Sequence, residues 1–392
     1  MSSPLVSVLT PVYNDGRYLR ECIESVRAQR YPSWEYFIVD NRSTDDSLAI
    51  AREYAARDPR VRVMANDEHV GVIPNHNIAF RAMSARSAYC KVVQADDWLF
   101  PDCLAAMVAL AERHPNVGIV SAYRLNGAWV DLDGLVNARE LRGPSLALDG
   151  FPWLTSVVPG REVCRASLLG APYVFGTPTS LLFRADFVRR HGAFYDEASL
   201  HSDKAACFEV LREADFGFVH QVLTYSRAHD EDGTVTAATR HFNTYLAGNL
   251  AVLSTYGPGC LAPGEYEQCL DEHLHRYYAY LAKSVIGLPG REFWDFHRTA
   301  MSAVGHPMSR GRLLRAVLGE LARVPLRLEQ CFDALARLRG GRGRAAREDE
   351  IHRVVRRMQA QRAAKDAEAQ EAAERIHAGV PSPPVTSGAG GS

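Results

Sequence analysis

The chain has 392 residues and 47% of them are hydrophobic, so it is long and apolar enough for two or three domains with buried cores. Its 45 lysines and arginines balance 46 aspartates and glutamates, which gives no reason to expect a nucleic-acid partner. No apolar run approaches the roughly 18 residues of a membrane-spanning helix, the first residues lead into a strand without a basic leader, and the eight cysteines contain no CxxC pair. We therefore expect a reduced, cytoplasmic protein that is neither secreted nor membrane-spanning.

Strands and helices alternate along the first part of the chain. Apolar β-branched runs predict strands, and polar caps followed by apolar residues at helical spacing predict the helices between them. The predicted strands cover 5–10, 36–40, 61–64 and a run from 89, with helices after Asp15, at 47–57 and at about 74–85; further strands are predicted at 117–121, 216–220 and 221–225. This alternation indicates βαβ units and a mostly parallel sheet with right-handed crossovers.

The turn after the first strand excludes two common kinds of nucleotide site. It reads TPVYN from Thr10 and contains neither GxGxxG nor GxxxxGK[ST]. A Rossmann dinucleotide site and a P-loop are therefore both unsupported. The aromatic ring of Tyr13 can stack on a base, or it can simply cover the end of the sheet.

Two adjacent carboxylates, Asp96 and Asp97, follow the strand that begins at Tyr89. In open α/β sheets ligands bind beyond the carboxyl ends of the strands, so we expect both side chains to face a ligand. Carboxylates held side by side repel each other, and a divalent cation would compensate their charge. The alternative is a solvated helix cap, since aspartate is common before helices.

Three ordered motifs carry a resemblance to a known family. They read VSVLTPVYN from Val6, IVDNRSTD from Ile38 and ADD from Ala95. The sequence over 6–229 resembles the family 2 glycosyltransferases, which implies an α/β fold of the GT-A type with a mostly parallel sheet. It also implies an inverting sugar transfer from a nucleoside-diphosphate sugar to a hydroxyl acceptor, usually with Mg²⁺ or Mn²⁺.

The resemblance assigns nucleotide-sugar binding to the first two motifs, at Thr10, Pro11, Tyr13, Asp40 and Asn41. Family members commonly carry a second aspartate where this chain has Asn41, and that aspartate accepts the N–H of the base. An amide oxygen also accepts a hydrogen bond, but it carries no charge. The resemblance therefore leaves the identity of the base open.

The third motif resembles the metal-binding element of the family. The resemblance implies that Asp97 binds the metal and that Asp96 contacts the ribose or the metal. Gln94 stands where many members have a further aspartate. Two carboxylates can still hold a Mg²⁺-like ion, because phosphate oxygens and water complete its coordination. Such an ion would neutralise charge on the leaving diphosphate.

Three basic side chains match positions near the diphosphate. His76 stands where the family often has an arginine, although a polar residue on a helix face is an equal alternative. Arg227 and His229 resemble a loop that closes over the diphosphate. Arg227 would add positive charge to the leaving group, and His229 would contact the metal or a phosphate.

The base is expected at Asp203. An inverting transfer is a single displacement, so a base must take the proton of the acceptor hydroxyl. The family usually has a Glu-Asp pair at the start of a helix, and this chain has Ser202 and Asp203 there. The alternative is an aspartate that serves only the helix dipole. Acceptor contacts are expected in polar segments over 126–175, where no motif identifies them.

The resemblance ends near 236, so we predict a transferase domain over 1–236 and a helical extension over 237–305. Residues 306–378 read as basic amphipathic and charged helices, and 379–392 as a disordered tail. Residues 310–347 contain ten arginines and only three acidic residues. This stretch either contacts the inner face of an anionic membrane, packs within the protein or joins two copies of the chain; the oligomeric state stays open.

Three classes of function fit these patterns. A sugar transferase would act on a saccharide or lipid-linked acceptor in cell-surface glycan or glycolipid synthesis. A nucleotidyltransferase would need a glycine-rich basic loop after the first strand, and the chain has none there. A scaffold without catalytic activity in a polysaccharide assembly complex is suggested by Asn41, His76 and Ser202. We favour the transferase because the paired carboxylates and a base are all present.

Overall fold

The computed structural model describes residues 3–126, 156–171, 173–227, 242–286 and 289–322. Nine strands in these ranges form one sheet: β1 Val6–Val12, β2 Trp34–Asp40, β3 Val61–Ala65, β4 Tyr89–Val92, β5 Trp98–Leu99, β6 Val117–Asn126, β7 Val157–Val158, β8 Leu182–Arg184 and β9 Asp215–Ser226. The helices are α1 Gly16–Arg27, α2 Ser47–Arg57, α3 Val72–Ala82, α4 Cys103–Arg113, α5 Gly160–Leu168, α6 Ala185–Arg189, α7 Ser202–Leu211, α8 Thr244–Cys260, α9 Pro263–Ile286, α10 Arg291–Ala303 and α11 Arg310–Ala322, with a 3₁₀ turn at Pro178–Ser180. The expected alternation of strands and helices is confirmed.

The sheet order is β3-β2-β1-β4-β8-β6-β9-β5, with β7 on β9. The first four strands are parallel, and so is the long pairing of β6 with β9. Antiparallel pairs are shorter and bring in β5, β7 and β8. The carboxyl ends of β2, β1 and β4 consequently lie side by side at one edge of the sheet, and we call the space beyond them the crevice.

Strand β1 passes through Pro11, although the sequence predicted a stop there. Leu9 accepts a hydrogen bond from the Val93 N–H on the β4 side of the strand. Pro11 lies two residues further on and faces the same side, where β4 has already ended at Val92. A proline can occupy this position because no partner carbonyl needs its missing N–H. The strand therefore continues on its β2 side to Val12.

The two strands predicted at 216–220 and 221–225 are one strand, β9. Its pairing with β6 shifts register around Tyr123, where irregular pairing replaces the regular ladder. A bulge bends a strand without ending it. This bend carries Ser226 and Arg227 to the crevice, opposite the loop that follows β4.

Apolar side chains cover both faces of the sheet. One cluster holds the side chains of α1, α2 and α4 against β1, β2 and β4, and the other holds those of α3, α5 and α7. Val252 and Tyr256 of α8 belong to the second cluster, so this helix packs on the sheet domain. Burial of these faces removes apolar surface from water and holds the strand ends in fixed positions.

The segment predicted to be helical over 237–305 contains helices α8, α9 and α10. Helices α8, α9 and α10 share a core that includes Leu250, Tyr277, Leu281, Phe293 and Met301. The tail over 379–392, the charged helix and most of the basic stretch lie outside the described residues.

Helix α11 is the described part of the basic stretch. Leu313 and Ala316 pack on α9, whereas Leu314, Leu318 and Leu321 are 60%, 57% and 51% exposed. These three leucines lie on the apolar side of the amphipathic pattern and are exposed, because α11 packs on α9 through a different face. Across the described residues, no helix is both long and apolar enough to cross a bilayer.

Candidate active site at the carboxyl ends of the strands

Asp97 is at the centre of a buried hydrogen-bond network. Its Oδ2 accepts from the hydroxyls of Thr179 at 2.5 Å and Ser226 at 3.3 Å, and its Oδ1 accepts from the Arg227 backbone N–H at 3.0 Å. A carboxylate offers about four lone pairs, so three donors leave one free at Oδ1. The side chain is only 4% exposed. Asp97 is thus fixed in place yet able to bind one more ligand.

Asp96 and Asp97 place two carboxyl groups close together, one half-buried and one buried. Burial, and then the charge of the neighbouring Asp96, raise the pKa of Asp97 to about 7. Either a proton or a cation relieves this repulsion. The donor set, carboxylate oxygens without sulfur or imidazole, suits a hard cation such as Mg²⁺ or Mn²⁺. The described residues contain no cluster of three His, Cys, Asp or Glu side chains, so oxygens from a ligand or water would complete the coordination.

A fully buried lysine supports this network, and the sequence analysis did not identify it. The Nζ of Lys91, on β4, donates to the Thr179 backbone carbonyl at 2.5 Å and lies 3.7 Å from the Met107 sulfur. The side chain has no exposed surface, and this burial lowers its pKa while the charge of Asp97 opposes the change. Lys91 therefore anchors the turn whose hydroxyl holds Asp97. A lysine inside an apolar strand was the only sequence signal for it.

The loops after β1 and β2 are tied together. Asn14 has a φ of 55°, and its side-chain oxygen accepts from the Thr44 N–H at 2.8 Å. Asp45 accepts from the Gly16 N–H at 2.9 Å. These bonds hold Tyr13 at the mouth of the crevice with its ring 45% exposed.

The ring of Tyr13 has a partner that sequence reasoning missed. His69 lies with its ring centroid 4.4 Å away at a 47° tilt, and its Nδ1 is 3.1 Å from the Asn41 backbone oxygen. Two aromatic rings at the mouth of a crevice offer a flat base a place to stack. No sequence motif marks His69, because it comes from the loop before α3.

Asp40 and Asn41 differ in whether a side-chain oxygen is still without a hydrogen-bond donor. The Oδ1 of Asn41 already accepts from Asn66 at 3.0 Å and from the Val70 N–H at 2.9 Å. Asn41 is therefore not placed to accept the N–H of a base, contrary to the expectation from sequence. Asp40 accepts from the Ser43 N–H through Oδ2, while its buried Oδ1 has no hydrogen-bond partner among the described residues. Asp40 thus keeps an acceptor that Asn41 lacks.

Thr10 and Pro11 lie within strand β1. Both are buried, and the Thr10 hydroxyl donates to the Val93 carbonyl at 2.8 Å and lies 2.8 Å from the Tyr36 hydroxyl. The Thr10 hydroxyl is thus bonded within the protein, and the ligand contact expected for both residues stays a prediction.

His76 is a neutral imidazole inside the protein rather than a cation at its surface. Its Nδ1 donates to the Val72 carbonyl at 2.8 Å, which leaves Nε2 to accept from the Gln94 amide at 3.1 Å. Burial lowers its pKa, while the charge of Asp203 acts in the opposite direction. The diphosphate role expected for His76 is therefore not supported, because a neutral acceptor attracts no phosphate. Its position links the loop after β4 to the start of α7.

Asp203 lies in the first turn of α7 and is partly exposed. Its Oδ1 accepts from the Lys204 backbone N–H at 2.8 Å. Its negative charge opposes the fall in pKa that burial causes at His76, His201 and Lys204. Asp203 is thus a partly exposed carboxylate whose charge acts on His76, and its role as the base stays a prediction.

Arg227 reaches the crevice with its charge already paired. Its guanidinium donates to Glu21 at 2.6 Å and to the Asp96 backbone carbonyl at 3.2 Å, and lies 4.1 Å from the centroid of the Tyr18 ring. Arg227 therefore fixes the loop of the acidic pair, and its role on the leaving group stays a prediction. His229 lies outside the described residues.

The fold is that of the GT-A glycosyltransferases, as expected from the sequence. The chain is similar in structure to TarS 1-349 of S. aureus, solved in complex with UDP-GlcNAc, with a TM-score of 0.53. The match has 16% identity and covers 77% of this chain and 80% of that one. At this identity the likeness concerns the fold alone.

Comparison with protein families gives a second result. The family model described as Glycosyl transferase family 2 matches residues 7–146. The chain is 42% identical over 244 residues to protein y4gI of Sinorhizobium fredii, covering 61% of this chain, and 30% identical over 252 residues to protein MT1568 of Mycobacterium tuberculosis, covering 61% of this chain and 73% of that one. It is also 35% identical over 123 residues to the chondroitin synthase of Escherichia coli, covering 31% of this chain and 17% of that one. The matched region, residues 7–146, belongs to glycosyl transferase family 2. It spans 24% of the length of y4gI.

Proposed function

We propose that this protein transfers a sugar, with inversion, from a nucleoside-diphosphate sugar to a hydroxyl acceptor. The observation that carries the proposal is the buried acidic pair at the carboxyl end of β4, where Asp97 is held by three donors beside Asp96. The charge of a third carboxylate, Asp203, opposes the fall in the pKa of His76 that burial causes, and His76 bonds to Gln94 just before that pair. We call the surroundings of the acidic pair the donor side and the start of α7 the acceptor side. Metal binding and proton removal belong to different groups in such a reaction, and these two sites would supply them.

On the donor side, Tyr13 and His69 would stack on the base, and Asp40, at the end of β2, would help to position it. Asp96, the more exposed of the acidic pair, and the remaining lone pair of Asp97 would hold Mg²⁺ or Mn²⁺. The metal, when bound, neutralises charge on the departing diphosphate.

On the acceptor side, Asp203 would take the proton of the acceptor hydroxyl. The acceptor oxygen forms a bond to the anomeric carbon as the bond from that carbon to the diphosphate oxygen breaks, and the electron pair leaves with the diphosphate. One displacement of this kind inverts the anomeric configuration. Chondroitin synthase among the relatives favours a polysaccharide product, and with it a saccharide or lipid-linked acceptor at the cytoplasmic face of the membrane.

A thermal-shift screen tests the proposal. UDP, GDP, dTDP and CDP are each added with and without Mn²⁺ to the wild type and to Asp96→Asn. A ligand at about 100 times its Kd stabilises the folded state by about 2.7 kcal/mol, which gives a measurable shift. We expect one nucleotide to raise Tm in a Mn²⁺-dependent manner, and the variant to lose the metal dependence. A chain that responds to none of the four nucleotides would contradict the proposal and favour the scaffold alternative.

A further inference from the structure

Helix α8 lies directly against the start of α7, where Asp203 is located. A Cβ atom added at Gly248 would be only 2.7 to 2.8 Å from three atoms of the His201 imidazole. Real Cβ atoms do not approach other atoms this closely, so only glycine permits this contact. Helix α8 and the start of α7 are therefore in close contact at this point.

Two further contacts join the same pair of helices. The Nζ of Lys204, the residue after Asp203, donates to the Asn249 side-chain oxygen at 3.1 Å. The Tyr256 hydroxyl donates to the Ala205 carbonyl at 3.3 Å. Three contacts along one face of α8 hold it in register with the first turn of α7. The position of Asp203 consequently depends on α8.

The first turn of α8 presents an aromatic ring beside this junction. Tyr245 is 62% exposed, and its ring centroid lies 5.4 Å from that of His201 at an angle of 66°. Burial lowers the pKa of His201, so its imidazole is neutral near pH 7. An exposed tyrosine and a neutral histidine offer an apolar face with hydrogen-bonding groups at the rim.

We infer that Tyr245 and His201 form a binding subsite for the sugar ring of a saccharide acceptor, next to Asp203. The inference rests on the proposed function and adds the class of acceptor and the residues that select it. A pyranose has an apolar C–H face that can cover an aromatic ring, and hydroxyl groups around its edge. The same ring would present one hydroxyl to the carboxylate of Asp203.

The charges around the subsite favour a neutral sugar. Asp203 is the nearby carboxylate, and it would repel an anionic acceptor group. Lys204, the next residue, donates to Asn249, and its charge opposes that of Asp203, so the surroundings carry little net charge for an ionic acceptor to bind. An acyl chain would need a wider apolar surface than two rings provide. A neutral polyol with one apolar face fits best.

The test uses four variants of the full chain. Tyr245→Ala removes the ring, and Tyr245→Phe keeps it. Gly248→Ala pushes α8 and His201 apart, and Gly259→Ala is its matched control, because that glycine is in the same helix with no atom within 4 Å of the added Cβ. The probes are neutral p-nitrophenyl glycosides, followed by saturation-transfer NMR in the presence of UDP and Mn²⁺. Calorimetry of UDP with Mn²⁺ is run in parallel on each variant.

We expect at least one glycoside to bind the wild type, and Tyr245→Ala to weaken it about tenfold. Gly248→Ala should weaken it similarly, while Tyr245→Phe and Gly259→Ala stay within about twofold of the wild type. Nucleotide affinity should be unchanged in all four variants. Glycoside binding that Tyr245→Ala leaves intact, or no glycoside binding by a wild type that binds UDP, would overturn the subsite alone. A wild type that binds none of UDP, GDP, dTDP and CDP would instead count against the proposed function.

Discussion

The two sides of the crevice are built in opposite ways. On the donor side, three polar side chains make most of their possible hydrogen bonds within the protein; they are Asp97, Asn41 and Arg227. On the acceptor side, Asp203 has one local bond and Tyr245 is largely exposed. The difference indicates that the donor side is fixed before ligand arrives, whereas the acceptor side leaves its groups available. Such preorganisation reduces the cost of binding a flexible, charged diphosphate.

The largest expected effect is on the acceptor side. Asp203→Asn removes the only carboxylate of the α7 start but retains its size and its bond to the Lys204 N–H. Loss of a positioned base lowers kcat by about 10² to 10⁴. Nucleotide binding should be unchanged, because the donor side does not use this group. The measurement is sugar transfer under saturating donor, beside calorimetry of the nucleotide.

Asp186→Asn is the matched control for this substitution. Asp186 also lies in the first turn of a helix and is paired at the surface with Arg190. Exposed pairs of this kind contribute about 0 to 1 kcal/mol, so activity should be retained. Equal losses in the two variants would mean that Asp203 serves only its helix.

An intermediate effect is expected on the donor side. Thr179→Val keeps the shape of the side chain but removes the hydroxyl that donates to Asp97 and accepts from the Gln94 N–H. Loss of such an orienting partner typically weakens metal binding about 10- to 100-fold. The Mn²⁺ dependence of nucleotide binding measures it, and Thr179→Ser should behave as the wild type. An unchanged Mn²⁺ requirement in Thr179→Val would contradict the idea that the network prepares the metal site.

The smallest effect concerns the helices behind the acceptor side. His297 is buried beside the rings of Tyr277, Tyr280, Phe293 and Phe296, and burial lowers its pKa to about 4. The unfolded chain protonates this group near pH 6.5, so the unfolded state binds the extra proton between about pH 6.5 and 4. Stability is therefore present above this window and is lost as pH falls through it.

His297→Phe should flatten this fall. The variant loses the bond to Tyr277 and is somewhat less stable at pH 7, but its Tm should change less between pH 7 and 5 than that of the wild type. Thermal unfolding followed across this range gives the slope. His114→Gln, at an exposed helix end, should keep the slope of the wild type. Parallel curves for wild type and His297→Phe would show that acid sensitivity arises elsewhere.

The sequence identified residues at the ends of strands and helices, and missed their partners. Asp40, Asp97 and Asp203 follow or begin regular elements, so local pattern and family resemblance were sufficient to propose them as site residues. Thr179, which donates to Asp97, comes from 82 residues away along the chain, and Lys91 on β4 reaches the Thr179 carbonyl only in the folded sheet. The same holds for the neutral state of His76, which depends on an amide 18 residues away. A local motif does not predict properties that depend on contacts between distant segments of the chain.

The network around Asp97 also has a consequence for how the protein can be divided. Its donors are 82, 129 and 130 residues away along the chain. A fragment limited to residues 7–146, the span of the family match, would contain both carboxylates without any of these donors. During synthesis the acidic pair therefore lacks these hydrogen-bond donors until the chain has grown past Arg227. The proposed metal site would thus form late in folding, although Asp96 and Asp97 are made early.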